Sequence, residues 1–250
     1  MGLRYVIAGS GATGGSIGAF LAADGQDVTF LARGAQLAAL KGQGISMKHT
    51  KKGDFTICPV GAMTMEEYRD VPDVIFVCVK SYSLEDAIQL AKRTGTPETV
   101  VIPILNIYGT GENMQAKLPG MTVTDGCIYV AAHVSAPGEI THGGDIFRVV
   151  YGLRPGQEPG ETVRIRLEQI KKDLDHAGIS GEYSDNIRRD TFKKFMYTSP
   201  MAAAGEYFHA QAGEFQKDGE PRDTFAAMDR EYLKLAEAMG LGVPADMVEV

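Results

Sequence analysis

Cysteine is scarce in this chain: Cys58, Cys78 and Cys127 stand far apart in apolar surroundings, without CxxC spacing. An odd, sparse set argues against a disulfide framework and suits reduced core thiols that behave as small hydrophobes. No apolar run reaches the roughly 18 residues that a membrane-spanning helix needs, so no membrane partner is expected. The N-terminus shows no basic stretch followed by an apolar stretch and a cleavage site, and a cytoplasmic location is expected. Positive charge is in the minority. With 25 Lys and Arg against 32 Asp and Glu the net charge is −7, which argues against a nucleic-acid partner because phosphate binding needs clustered cations. The five histidines, His49, His133, His142, His176 and His209, show no HxxxH or HxH spacing, so no metal site is expected. Low-complexity segments and internal repeats are also missing.

What is abundant is glycine near the start. Tyr5 to Ala8 form an apolar run fit for a buried strand, and Gly9-Ser10-Gly11-Ala12-Thr13-Gly14 then matches G-x-G-x-x-G. Ile17, Phe20 and Leu21 follow at helical spacing. Strand, glycine turn and helix are the context in which this motif binds a dinucleotide. Gly9 permits the tight turn, Gly11 lets a pyrophosphate approach the backbone, and Gly14 lets helix and strand pack closely. The helix start offers unpaired N–H groups and partial positive charge to the phosphates.

A second strand, Asp27 to Leu31, ends in Leu31-Ala32-Arg33-Gly34. NAD enzymes usually hold an Asp or Glu here for the ribose 2′-hydroxyl. A guanidinium instead pairs with a 2′-phosphate, so Arg33 points to NADP(H); the competing reading is a solvated surface arginine.

Downstream, "GAQLAALKGQGI" reads as a short helix and turn, and "ISMKHT" with "DFTICPV" as a hairpin. "VIFVCVK" and "TVVIPIL" are near-continuous apolar runs, as in parallel strands buried on both faces, with the helix "LEDAIQLAKR" between them. This alternation predicts an α/β fold with a Rossmann-type doubly wound sheet. Ligands bind beyond the carboxyl ends of such strands, where Lys80 and Asn106 fall. Residues 122–152 are strand-like runs broken by Pro-Gly and Gly-Gly, hence an antiparallel extension of the sheet. "TVRIRLEQIKKDLDHAG" is an amphipathic helix with a glycine stop. From about Ile187 the chain reads all-helical, with Pro200 starting, kinking or ending a helix. The expected division is a Rossmann domain over 1–182 and a smaller helical domain over 183–250.

The ordered set G-S-G-A-T-G, "LAR", "VCVKSYSLEDA", "LNIYGTGE" and "PGEITHGG" resembles the ketopantoate reductase (2-dehydropantoate 2-reductase) family. The resemblance implies an NADPH-dependent oxidoreductase that reduces a small 2-oxo acid to the 2-hydroxy acid, 2-dehydropantoate to pantoate by default, within pantothenate and coenzyme A biosynthesis. By position, Gly9, Ser10, Gly11, Ala12, Thr13 and Gly14 look like the phosphate turn and Arg33 like the 2′-phosphate contact. Lys80 and Asn106 resemble the pair near the ribose and nicotinamide, Asn106 also lying near substrate, and Ala132 resembles a main-chain cofactor contact. A strand-end lysine and a turn asparagine are the plainer readings of Lys80 and Asn106. Glu112 reads as a helix-start carboxylate. The family's catalytic lysine falls on Lys194 in "DTFKKFMYTSP", with Phe192 in place of a tryptophan and Lys193 as a rival. An ammonium there would stabilise the developing alkoxide and donate a proton.

The chain also departs from the family's pattern. Asparagines four and eight residues beyond the lysine are replaced by Thr198, kept as a substrate contact, and by Ala202, which offers only a methyl. Ile107 stands where glycine is common. A later segment with a substrate serine and a catalytic glutamate has no counterpart before Val250. A non-catalytic NADP-binding or redox-sensing protein and a reductase of another ketone are therefore competing readings. The Ala- and Met-rich C-terminal helices suit internal packing or a homodimer face equally.

Overall fold

The computed structural model describes residues 2–49 and 53–248. They fall into two units, one of residues 2–105 and 109–185 and one of residues 106–108 and 186–248.

The first unit opens with β1 (Arg4–Ala8), α1 (Ala12–Ala23), β2 (Asp27–Leu31) and α2 (Gly34–Gln43). The hairpin β3 (Ile45–His49) and β4 (Phe55–Ile57) follows, then β5 (Gly61–Met63), β6 (Val74–Val77), α3 (Leu84–Thr94), β7 (Val100–Pro103), α4 (Thr110–Lys117) and β8 (Thr122–Val123). The unit closes with β9 (Asp125–Ala136), β10 (Glu139–Gly152), α5 (Glu161–His176) and β11 (Ser180–Tyr183).

Six strands form a wholly parallel sheet in the order β5-β2-β1-β6-β7-β8. This is the doubly wound order of a Rossmann fold, with the reversal between β1 and β6. Its central strands are buried on both faces, which is why they are continuous apolar runs. Tyr5 and Ile7 of β1 and Val74 and Phe76 of β6 enter one core, while Val6, Ala8, Ile75 and Val77 enter the other.

The antiparallel pair β9–β10 is present, but in a second sheet of its own rather than on an edge of the first. One edge of β10 carries β9; the other pairs in parallel with β3 at Glu139–His142 and with β11 at Arg148–Tyr151. The hairpin β3–β4 belongs to this sheet as well.

Helix α1 lies between the two sheets, and every residue from Gly14 to Leu21 is buried. A helix with no wet side needs no polar face. Its glycines set the spacing of the layers. A Cβ on Gly14 would stand 2.2 Å from the Gly9 carbonyl oxygen, one on Gly18 2.4 Å from the Phe30 ring, and one on Gly15 2.3 Å from Ile140 of the second sheet.

Helix α3 is conventionally amphipathic. Ala87, Ile88, Leu90 and Ala91 are buried, acidic Glu85 and Asp86 sit in the first turn, and basic Lys92 and Arg93 in the last, matching the helix dipole. Asp125 and Arg154, both largely buried, pair at 3.2 Å. Burial raises the Asp125 carboxyl above its ordinary range, partly opposed by Arg154.

The second unit is built on α6 (Ile187–Phe208) and α7 (Glu220–Ala238). Asn186 caps α6 by accepting the Arg189 N–H, and α6 continues through Pro200 without ending, although proline removes one helical hydrogen bond. Phe192, Met196, Ala236 and Leu241 form its core with Tyr108, Phe195 and Tyr232 packed against them. The Tyr108 ring meets Phe192 edge-on at 5.1 Å, so the three residues after Leu105 belong with the helices.

Candidate functional site

The loop after β1 is folded back by a single acceptor. The Leu31 carbonyl takes the N–H groups of Gly9 and Ser10, both at 3.2 Å, and the Ser10 hydroxyl at 3.1 Å. Gly9 has φ of 98°, and a Cβ there would come within 2.9 Å of the Val79 amide nitrogen, so only glycine fits this turn. Gly11 then caps α1, and nothing lies within 4 Å of where its Cβ would stand. No side chain caps the helix and none in its first turn is acidic. The leading amides of α1 are therefore left for an anion.

These residues edge a cavity of about 480 Å³ at the carboxyl ends of β1, β2 and β6, beside the reversal of strand order. Gly9, Ser10 and Gly11 form one side. Arg33 and Gln36 follow from β2 and α2, and Lys80, Ser83 and Asp86 from the segment after β6. The Arg33 guanidinium donates from Nη2 to the Ser83 hydroxyl at 3.2 Å and faces the Asp86 carboxylate from Nη1 at 3.8 Å. Glu66 also borders the cavity. A backbone hydrogen bond and one from Thr64 hold its carboxyl below the usual range, and Arg33 adds to the effect. Cys78 borders the cavity too, and burial pushes its thiol up to about 12. Such a thiol stays protonated and is a poor nucleophile.

Five of the expected contacts thus converge on one cavity: Gly9, Ser10, Gly11, Arg33 and Lys80. Ser10's two donors are committed to Leu31, which leaves it a shaping role in the loop. Ala12, Thr13 and Gly14 form the first turn of α1 behind Gly11. Ala132 lies in β9 opposite His142, and Val134, two residues further along the strand, is the residue that borders the cavity.

Asn106 belongs to the helical unit. So do Lys194 and Thr198, one turn apart on α6, where the Thr198 hydroxyl donates to the Lys194 carbonyl at 2.9 Å. That hydroxyl keeps lone pairs with which to accept a hydrogen bond, but its proton is engaged. Glu112 lies in the first turn of α4, behind Gly109 at φ of 81°.

Gln36, Glu66, Ser83 and Asp86 were not legible as site residues. Ser83-x-x-Asp86 before an apolar run has the look of a helix-capping pattern. Ser83 does stand at the N-cap of α3, yet it makes no cap bond; its hydroxyl receives Arg33.

Among the described residues no group of His, Cys, Asp and Glu side chains is arranged to hold a metal, and no helix is long and apolar enough to cross a membrane. The strand order and the glycine loop define a Rossmann-type α/β protein, joined here to a helical unit. The chain belongs to the ketopantoate reductase PanE/ApbA family, whose family model matches residues 5–156, and it is an oxidoreductase of that family.

An uncharacterized oxidoreductase, YkpB, of Bacillus subtilis (strain 168) is 29% identical over 249 residues, covering 98% of this chain and 77% of that protein. A 2-dehydropantoate 2-reductase of Nostoc sp. is 26% identical over 98% of this chain and 76% of its own. The crystal structure of 2-dehydropantoate 2-reductase from Porphyromonas gingivalis W83 superposes with a TM-score of 0.85 at 28% identity, covering 100% of this chain and 86% of that one.

Proposed function

We propose that this protein is an NADPH-dependent reductase of a small 2-oxo acid, yielding the 2-hydroxy acid, with 2-dehydropantoate as the first substrate to test. One observation carries the reading: the vacant space at the Gly11 Cβ position and the guanidinium of Arg33 border the same cavity. A pyrophosphate needs the first and a 2′-phosphate the second. The cavity's size also falls in the range of small-molecule sites.

In this reading the amides of Gly11, Ala12, Thr13 and Gly14 hold the pyrophosphate and Arg33 the 2′-phosphate. Lys80 and Asn106 serve the ribose and nicotinamide end, with the main chain at Ala132 as a further contact. When bound, the nicotinamide supplies a hydride for the C2 carbonyl. Lys194 holds a proton at Nζ for the carbonyl oxygen, and its charge stabilises the alkoxide as it forms. Asn106 and Thr198 orient the substrate, Thr198 as an acceptor. The dimer and the cytoplasmic location belong to the same proposal, the dimer through the C-terminal helices.

The test is NADPH oxidation over a panel of 2-oxo acids, alongside fluorescence titration of NADPH itself. Turnover of at least one 2-oxo acid is expected, with 2-dehydropantoate among the substrates. Nucleotide binding without oxidation by any of them would favour a non-catalytic NADP-binding role, and no binding would overturn the reading altogether.

A further inference from the structure

Arg33 is already engaged before any phosphate arrives. Its Nη1 faces Asp86 at 3.8 Å, with the two side chains 67% and 51% exposed. Its Nη2 is held by Ser83, a residue only 7% exposed. We infer that Asp86 sets how sharply this site separates NADPH from NADH, by competing with the 2′-phosphate for Arg33. The inference rests on the reading of Arg33 as the 2′-phosphate contact.

An ion pair this exposed is weak, and a phosphate dianion can displace it. Displacement is not free of consequence. Asp86 is fixed in the first turn of α3, where the helix dipole favours a carboxylate, and Glu66 borders the same cavity. A phosphate taken up by Arg33 therefore sits beside negative charge that remains in place. NADH brings no such phosphate and leaves the Arg33–Asp86 pair intact. Asp86 thus lowers affinity for NADPH and leaves NADH untouched. Ser83, neutral and bound to the other nitrogen, keeps the guanidinium in position in both cases. Asp86 is a specificity-determining residue that acts through Arg33.

The experiment is fluorescence titration of NADPH and of NADH against the wild type, Asp86→Asn, Arg33→Ala and the double variant. Asp86→Asn is expected to tighten NADPH about three- to fivefold and to move NADH by less than about 1.5-fold, and the gain should largely vanish when Arg33 is alanine. Asp86→Ser should reproduce the shift if the asparagine variant proves poorly folded. Equal movement of both nucleotides, weaker NADPH binding, or a gain that survives Arg33→Ala would overturn the inference. Failure of the underlying cofactor reading is separate and visible: Arg33→Ala alone would leave NADPH affinity unchanged.

Discussion

The side chain of Gln36 ties Ser10 to Gly138. Its Nε2 donates to the Ser10 carbonyl at 2.9 Å, and its Oε1 accepts the Gly138 N–H at 2.9 Å. The glycine loop of the parallel sheet is thereby fastened to the β9–β10 turn of the second sheet. The Gly138 carbonyl in turn accepts the Ser46 N–H at 2.8 Å. Gln36→Leu removes both bonds and should cost about 1–2 kcal/mol in urea unfolding. Gln36→Glu keeps the bond from Gly138, loses the one to Ser10 and adds a negative charge at the cavity. NADPH should therefore bind more weakly to the glutamate variant than to the leucine one. Wild-type affinity in Gln36→Glu would remove Gln36 from the positioning of the loop.

Substitutions at Gly11 and Gly14 are expected to separate binding from folding. Gly11→Ala places a methyl in open space, so stability should fall by less than about 1 kcal/mol, the difference between glycine and alanine at a helix N-cap. Nucleotide affinity should fall roughly tenfold, because the pyrophosphate needs that space. Gly14→Ala drives its methyl onto the Gly9 carbonyl and should destabilise the fold by about 1–3 kcal/mol. Calorimetric melting and NADPH titration of both variants check the pair; equal effects on melting would contradict the assignment.

Lys194→Ala should lower turnover by about 10²- to 10⁴-fold, the usual contribution of a positioned proton donor. NADPH affinity should stay close to that of the wild type. Its neighbour in the control variant Lys193→Ala should retain most of the turnover. Steady-state kinetics with the best 2-oxo acid decide between the two lysines.

Asp229 of α7 is 4% exposed, and its Oδ1 has no hydrogen-bond partner among the described residues. Burial pushes its carboxyl up to about 6. A carboxyl raised in this way favours the folded state when protonated. Its contribution is whole below the ordinary carboxylate range and is lost as pH rises through about 6. Asp229→Asn should therefore be more stable than the wild type near neutral pH, with the advantage shrinking toward about pH 4. Chemical denaturation of both proteins across that range measures the difference, and a constant gap would show that Asp229 does not titrate on unfolding.

Much of the parallel sheet was readable residue by residue. The runs that became β1, β6 and β7 are apolar without interruption because both faces of each strand are covered. The hairpin β3–β4 was readable as well, but β5, a three-residue edge strand at Gly61–Met63, carries too few residues for a pattern. Pro200 was expected to start, kink or end a helix, and it lies within α6.

The amino-acid order alone determined what is local: the strand, the glycine turn and the helix start of residues 5–21, and the cation placed at the end of the second strand. Each of these depends on neighbours within a few positions, where backbone freedom and side-chain spacing leave a visible mark. Tertiary structure decided the rest. The antiparallel pair acquired its own sheet because β10 found β3 and β11 along its free edge. Ser83 became Arg33's partner rather than a helix cap across 50 residues of sequence, and Gln36 found Gly138 across 102. Hydrogen bonds that join such distant segments form only when packing brings them together, so no local pattern announces them.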